Sequence, residues 1–157
     1  EIKSSSNGYC RTAKEAAKQI YKFGIENQVI LSSFDVNTLL TVKFNHPNLE
    51  TAYLFRKDDR VLDIEDKKTL KYKVNGIINR SGLKALIAAT NSLHPEISLF
   101  SSDKKLFWQR NPLLSGKNIN TWSVDSNENF DLAISNGVDI VISDNPQKMV
   151  EYRENLF

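Results

Sequence analysis

The sequence predicts an α/β fold, a right-handed parallel β/α sheet or barrel, and three observations carry that prediction. Short runs rich in β-branched residues alternate with apolar patterns of roughly 10–15 residues at helical spacing. The clearest strand-like runs end in a polar, turn-forming cluster, and a helix start follows. The plainest unit closes the chain: Asn120-Thr121-Trp122-Ser123-Val124-Asp125, a helix-length gap, then Gly137-Val138-Asp139-Ile140-Val141-Ile142-Ser143-Asp144-Asn145-Pro146. Asp125 and Asn145 are good N-cap types, and Pro146 suits a first helical position. Parallel β/α units carry their chemistry at the C-terminal ends of their strands, so Trp122, Asp125 and Asp144 stand where a site would be.

The remaining elements follow in order. Thr12 with Glu15 forms a capping-box pattern ahead of Ala16, Ala17, Ile20 and Phe23, a stripe closed by Gly24, which predicts a helix over 13–23. Val29-Ile30-Leu31 is a buried strand ending in Ser32-Ser33-Phe34. Asp35 caps a second helix carrying Leu39, Leu40 and Phe44, which stops before His46-Pro47. Thr51–Phe55 is the next strand, and the charged stretch 56–79 is a long excursion from its end. Ser81 caps a helix through Leu83, Leu86, Ile87 and Thr90; after His94-Pro95 an extended stretch covers Ile97–Phe100. Asp103 caps a helical segment with Leu106, Phe107 and Trp108, disturbed by Pro112 and closed by Gly116. Strand 118–124, helix 126–136, strand 138–143 and helix 146–156 complete the chain. No internal repeat, low-complexity tract or interdomain linker interrupts it, so one domain is expected.

Composition narrows the function. The chain has 157 residues, 40% of them hydrophobic, enough for one core but short of the roughly 250 that a complete (β/α)8 barrel uses. A net charge of +2 from 21 basic and 19 acidic residues gives no case for nucleic acid or an anionic membrane. The single cysteine, Cys10, excludes an internal disulfide and a cysteine metal cage, and reads as an inert small residue. No apolar run approaches the roughly 20 residues of a membrane span. The opening Glu1-Ile2-Lys3 is neither an initiator Met nor a targeting segment, so the start is expected to be internal to a longer protein.

The closing text W-S-V-D followed by G-V-D-I-V-I-S-D-N-P resembles the W-T-V-N and G-V-D-G-I-I-T-D-x-P of the glycerophosphodiester phosphodiesterases. The likeness extends in register along the chain. Glu1-Ile2-Lys3 matches the E-I-K of the family's fourth strand, Ser33-Phe34 the S-F of the fifth, and Tyr53-Leu54-Phe55 the sixth, with Trp122 on the seventh and Asp144 on the eighth. The resemblance implies a TIM (β/α)8 barrel of the phospholipase-C-like type. Residues 1–157 would be its C-terminal part, strands four to eight. It also implies a divalent cation, Mg or Ca, and hydrolysis of glycerophosphodiesters to glycerol 3-phosphate and an alcohol.

By the same carry-over Glu1 corresponds to a metal carboxylate, Lys3 to the catalytic lysine that neutralises phosphate charge, and Trp122 to the aromatic wall against the glycerol moiety. Ser123 for Thr, Asp125 for Asn and Ser143 for Thr are mild departures. The family's H-R-G and H-D histidines and its first two metal carboxylates have no counterpart. His46 and His94 each precede a proline in a connection, an ordinary place for a surface histidine. This chain alone is therefore expected to be inactive, its partners being a small glycerophosphodiester and the missing N-terminal part of the barrel. The alternatives are a non-catalytic, barrel-derived binding protein and a lipid phosphodiesterase of the sphingomyelinase D type. Residue by residue, Phe34 is expected in the core, Asp139 and Asp144 at local turns and rim hydrogen bonds, and Phe107 and Trp108 in outer helix packing.

Overall fold

The computed structural model describes residues 1–3, 9–56, 83–101, 112–114 and 116–156. The charged stretch after Arg56, the Ser81 cap and the 103–111 helix lie outside the described residues. Five strands, β1 (Ile30–Ser33), β2 (Glu50–Phe55), β3 (Ser92–Pro95), β4 (Asn118–Thr121) and β5 (Ile140–Val141), form one sheet in sequential order. Every pairing is parallel. The helices are α1 (Tyr9–Phe23), α2 (Val36–Asn45), α3 (Leu83–Ile87), α4 (Asn127–Ser135) and α5 (Pro146–Glu154). Residues 1–3 lie alongside β1: the Ile2 amide donates to the Ser32 carbonyl at 2.8 Å, and the Ser33 hydroxyl donates to the Ile2 carbonyl at 2.8 Å.

Strand residues alternate between two faces, as a period of two requires. Leu31, Tyr53, Phe55, Leu93, Ile119 and Val141 meet the helices in two clusters, with Ala13, Ala17 and Ile20 of α1 in one and residues of the other four helices in the second. The even-numbered positions form the opposite face, away from the described helices. Helices on one side and strands in chain order describe a singly wound sheet, since a doubly wound one would reverse its order partway.

Several elements depart from the sequence expectation, each for a physical reason. Helix α1 starts at Tyr9, so Thr12 and Glu15 sit inside it; the Glu15 carboxylate accepts from Gln19 one turn on, at 2.8 Å, instead of capping. Gly24 does end the helix at φ +65°, a left-handed turn that suits glycine. Asp35 caps α2 as expected, taking the Thr38 amide at 2.7 Å, but Phe44 faces solvent. The strand expected at Ile97–Phe100 is instead a 3₁₀ turn whose Ile97, Leu99 and Phe100 plug the core, and the strand is Ser92–Pro95 just before it. With residues 1–3 beside β1, the described chain supplies six neighbouring positions, because β3 stands between the strands that the family register numbers sixth and seventh. Ser126, not Asp125, caps α4, accepting from the Asn129 amide at 3.2 Å. Among the described residues no helix is long and apolar enough to cross a membrane.

Candidate active site

The face opposite the described helices is hollow. A cleft of about 470 Å³ runs along it, lined by Glu1, Ser32, Phe34, Leu54, His94, Asn120, Trp122 and Asp144 among others. The strand residues in that set are even-numbered, so the alternation that buries Tyr53, Leu93 and Ile119 under the helices delivers these side chains to the cleft. Lys3 shares the face of Glu1 and is exposed. Phe34, Trp122 and Asp144 all lie beyond the C-terminal ends of β1, β4 and β5, the end where parallel β/α folds place their chemistry.

Trp122 is half-buried and firmly held. Its indole N–H donates to the His94 carbonyl at 2.7 Å, and its ring meets Phe34 edge to face with centroids 5.6 Å apart. Its peptide bond to Ser123 is cis. Phe34 was expected in the core; it lines the cleft, because at the bend that follows β1 its ring meets Trp122. Asp125 ties the ends of β4 and β5 together. One carboxylate oxygen accepts from the Ser143 hydroxyl at 2.7 Å and from the Asp144 amide at 2.8 Å, and the Ser143 oxygen accepts from the Asn145 amide at 2.9 Å. The Ser143 hydroxyl, then the backbone amides of Asp144 and Asn145, hold the Asp125 carboxyl below its ordinary range. Asp139 acts locally, its carboxylate accepting from the Ile119 amide at 2.8 Å.

His94 overturns the expectation of a surface histidine. It sits on β3, only 4% exposed, beside Asn120 with 2.9 Å between its Nε2 and the amide nitrogen. Burial lowers its pKa to about 4, so the ring is neutral in ordinary solution. Its Nδ1 and the Asn120 Oδ1 have no hydrogen-bond partner among the described residues. His46 is half-buried at the end of α2, its ring 5.2 Å from that of Tyr21. The two imidazoles therefore do not form an acid/base pair. Nor do the described residues fit a divalent cation by themselves, since no group of three or more His, Cys, Asp or Glu side chains converges among them. Among the described residues, Glu1 and Asp144 are the carboxylates that line the cleft.

Of the residues expected at the site, Glu1 and Trp122 line the cleft and Lys3 is exposed; His94 and Asn120 also line it and were not expected there. For Asn120 the available signal was parity, since it lies two residues before Trp122.

A comparison with curated proteins finds no match. Among solved structures the chain resembles a glycerophosphodiester phosphodiesterase from Parabacteroides distasonis, with a TM-score of 0.67 and 14% identity over 99% of this chain and 56% of that one. It also resembles a phosphodiesterase from Oleispira antarctica in complex with the product sn-glycerol-3-phosphate, with a TM-score of 0.66 and 15% identity over 97% of this chain and 53% of that one. The chain thus spans about half the length of these structures, and at such identity they speak to the fold. The model of the glycerophosphoryl diester phosphodiesterase family matches residues 2–148, nearly the whole sequence. The chain belongs to the glycerophosphoryl diester phosphodiesterase family.

Proposed function

We propose that this polypeptide contributes the later β/α units of a (β/α)8 barrel that hydrolyses glycerophosphodiesters to glycerol 3-phosphate and an alcohol. The observation that carries the reading is a cleft on the face of the sheet opposite the described helices, which gathers Glu1, Trp122 and Asp144, with Lys3 two residues from Glu1 and exposed. Lys3 supplies positive charge toward a bound phosphate. Trp122, fixed by His94 and Phe34, offers a flat apolar wall for a three-carbon moiety. Glu1 is one hard oxygen ligand for a divalent cation, Mg or Ca; the other ligands come from outside the described residues. In the reaction a water oxygen attacks phosphorus, the bond from phosphorus to the alcohol oxygen breaks, and that oxygen takes up a proton. A general acid and base for these transfers would also come from outside the described residues.

The exposed flank of the sheet supports completion by further strands. Beside β5, Ile140 is 46% exposed, and Ile134, Ile142 and Val150 also face solvent around a hollow of about 350 Å³ lined by Phe130, Val141 and Met149. An open edge with apolar flanks is a surface that other chain segments cover. Counting back from β5 as the eighth strand, the six sheet positions make residues 1–3 the third. The second reading, a binding protein without turnover, is favoured by the lack of an acid/base pair among the described residues.

The test is to incubate the full-length native polypeptide with glycerophosphodiesters, with and without a chelator, and to compare Glu1→Gln, Lys3→Met and Trp122→Leu. Release of glycerol 3-phosphate that needs the cation and falls at least tenfold in Glu1→Gln and Lys3→Met supports hydrolysis, a tenfold loss being about 1.4 kcal/mol of transition-state stabilisation. Binding of glycerol 3-phosphate without turnover of any diester would instead establish the second reading.

A further inference from the structure

Helix α1 is divided lengthwise. Ala13, Ala17 and Ile20 are buried in the core beside β1 and α2, while Arg11, Lys14, Lys18 and Lys22 recur at spacings of three, four and four, all exposed. These four cations share an arc of about 80° and form a stripe about 16 Å long on the side away from the sheet. Glu15 is the one carboxylate on α1, and it accepts from the Gln19 side chain at 2.8 Å. Helix α2 carries no carboxylate, and its Lys43 ammonium turns inward to the Pro47 and Leu49 carbonyls and Asn91 Oδ1. The two helices thus hold five basic side chains against one acidic, where the whole chain holds 21 against 19, so the near-neutral total conceals a local positive excess. Like charges at i,i+4 destabilise a helix; Lys14–Lys18 and Lys18–Lys22 both stand at that spacing, and an anionic surface would relieve the cost. Apolar rings reach solvent at the C-terminal end of the stripe. Phe23 is 69% exposed, with Lys22 Nζ 5.7 Å from its centroid. The Tyr21 ring lies 5.2 Å from that of His46, which sets the end of α2 beside that of α1. There Phe44, at 84%, is the most exposed large apolar side chain among the described residues.

We infer that the outer face of α1 docks on an anionic lipid bilayer. The helix does not insert, since its apolar side is committed to the core. It lies against the surface, its four long cationic side chains among the lipid headgroups, with Phe23 and Phe44 reaching the headgroup layer. The rings favour lipid over a rigid polyanion: a bilayer takes up an apolar ring at its interface, and the phosphate backbone of a duplex does not. Each cation close to an anionic leaflet strengthens binding about fivefold, so the four together supply about several hundredfold. No described residue of α1 lines the cleft, so the inference stands apart from the hydrolytic reading.

The experiment is co-sedimentation of the full-length native polypeptide with vesicles of phosphatidylcholine, with and without phosphatidylserine. Binding should require phosphatidylserine and should fall away as salt rises from about 0.1 M to about 1 M, where the Debye length shrinks from about 10 Å to about 3 Å. The triple variant Lys14→Gln, Lys18→Gln and Lys22→Gln should lose about a hundredfold in affinity. The charge-matched variant Lys67→Gln, Lys68→Gln and Lys71→Gln should bind nearly as the unsubstituted protein does. Phe23→Ser with Phe44→Ser should weaken binding about tenfold at fixed salt. Thermal unfolding of each variant checks that the fold is kept, as expected for exposed positions. Equal binding to pure phosphatidylcholine, equal losses in the two lysine variants, or tighter binding to a short DNA duplex than to the anionic vesicles overturns the inference. So does failure to bind either vesicle at low salt.

Discussion

Replacing His94 by Gln should flatten the acid limb of the protein's stability curve. His94 is almost fully buried on β3, and burial lowers its pKa from 6.5 to about 4. Between those values the unfolded chain holds a proton that the folded chain refuses, so stability rises with pH across the window. The contribution is intact above pH 6.5 and is lost as pH falls toward 4. Linkage puts the loss between pH 7.5 and pH 5 at about 2 kcal/mol, tending to about 3.4 kcal/mol below the folded pKa. Gln retains a polar group able to pair with Asn120 but cannot take up the proton. The assay is urea unfolding of the full-length polypeptide and of His94→Gln at both pH values. Carboxylates titrate in both proteins, so the difference of the two pH differences isolates His94. The unsubstituted protein should lose about 2 kcal/mol more than the variant on acidification. Equal losses, or an NMR titration of His94 centred on an ordinary histidine value, would refute the reasoning.

Two further outcomes follow from the packing and the strand-end hydrogen bonds. Asp125→Ala removes the acceptor shared by the Ser143 hydroxyl and the Asp144 amide; thermal unfolding should show a loss of about 1 kcal/mol at neutral pH, and hydrogen exchange at the Asp144 and Asn145 amides should quicken. Because the Asp125 carboxyl is held below its ordinary range, that contribution is present at neutral pH and disappears as pH falls through the lowered value. Leu93→Ala, at a position 1% exposed and turned toward the helices, should cost about 2–5 kcal/mol in urea unfolding.

Much of this architecture was legible in the sequence because helices and strands with strong periodic signals also have strong local causes. Asp35 caps α2, Pro146 opens α5 and Gly24 closes α1, each in its expected role. The failures lie where tertiary packing overrides local preference. Ser92-Leu93-His94-Pro95 contains one clear apolar residue and ends in proline, which reads as a connection, yet all four are buried between β2 and β4. Ile97-Ser98-Leu99-Phe100 alternates as a strand would, yet its apolar side chains serve a turn that plugs the core. At the cleft, Glu1 and Trp122 could be singled out because they belong to recognisable text. His94 and Asn120 carry no local motif, and their meeting depends on the β3–β4 register, which single-sequence periodicity does not fix. Phe34 was expected in the core for a similar reason: its contacts with Arg56 and Trp122 join the ends of different strands.

The strict alternation of the strands makes this sheet two mutational landscapes printed back to back. Odd positions such as Tyr53 and Leu93 answer to the helices, and even positions such as Leu54, His94 and Asn120 answer to whatever enters the cleft. Substitutions on opposite faces share few partners, so their effects should combine nearly additively. A lineage, or an engineer, can therefore retune the cleft one strand at a time without renegotiating the core. The same arrangement makes a single-residue insertion within a strand far more disruptive than a substitution, since it would carry every later side chain of that strand through the sheet to the wrong side.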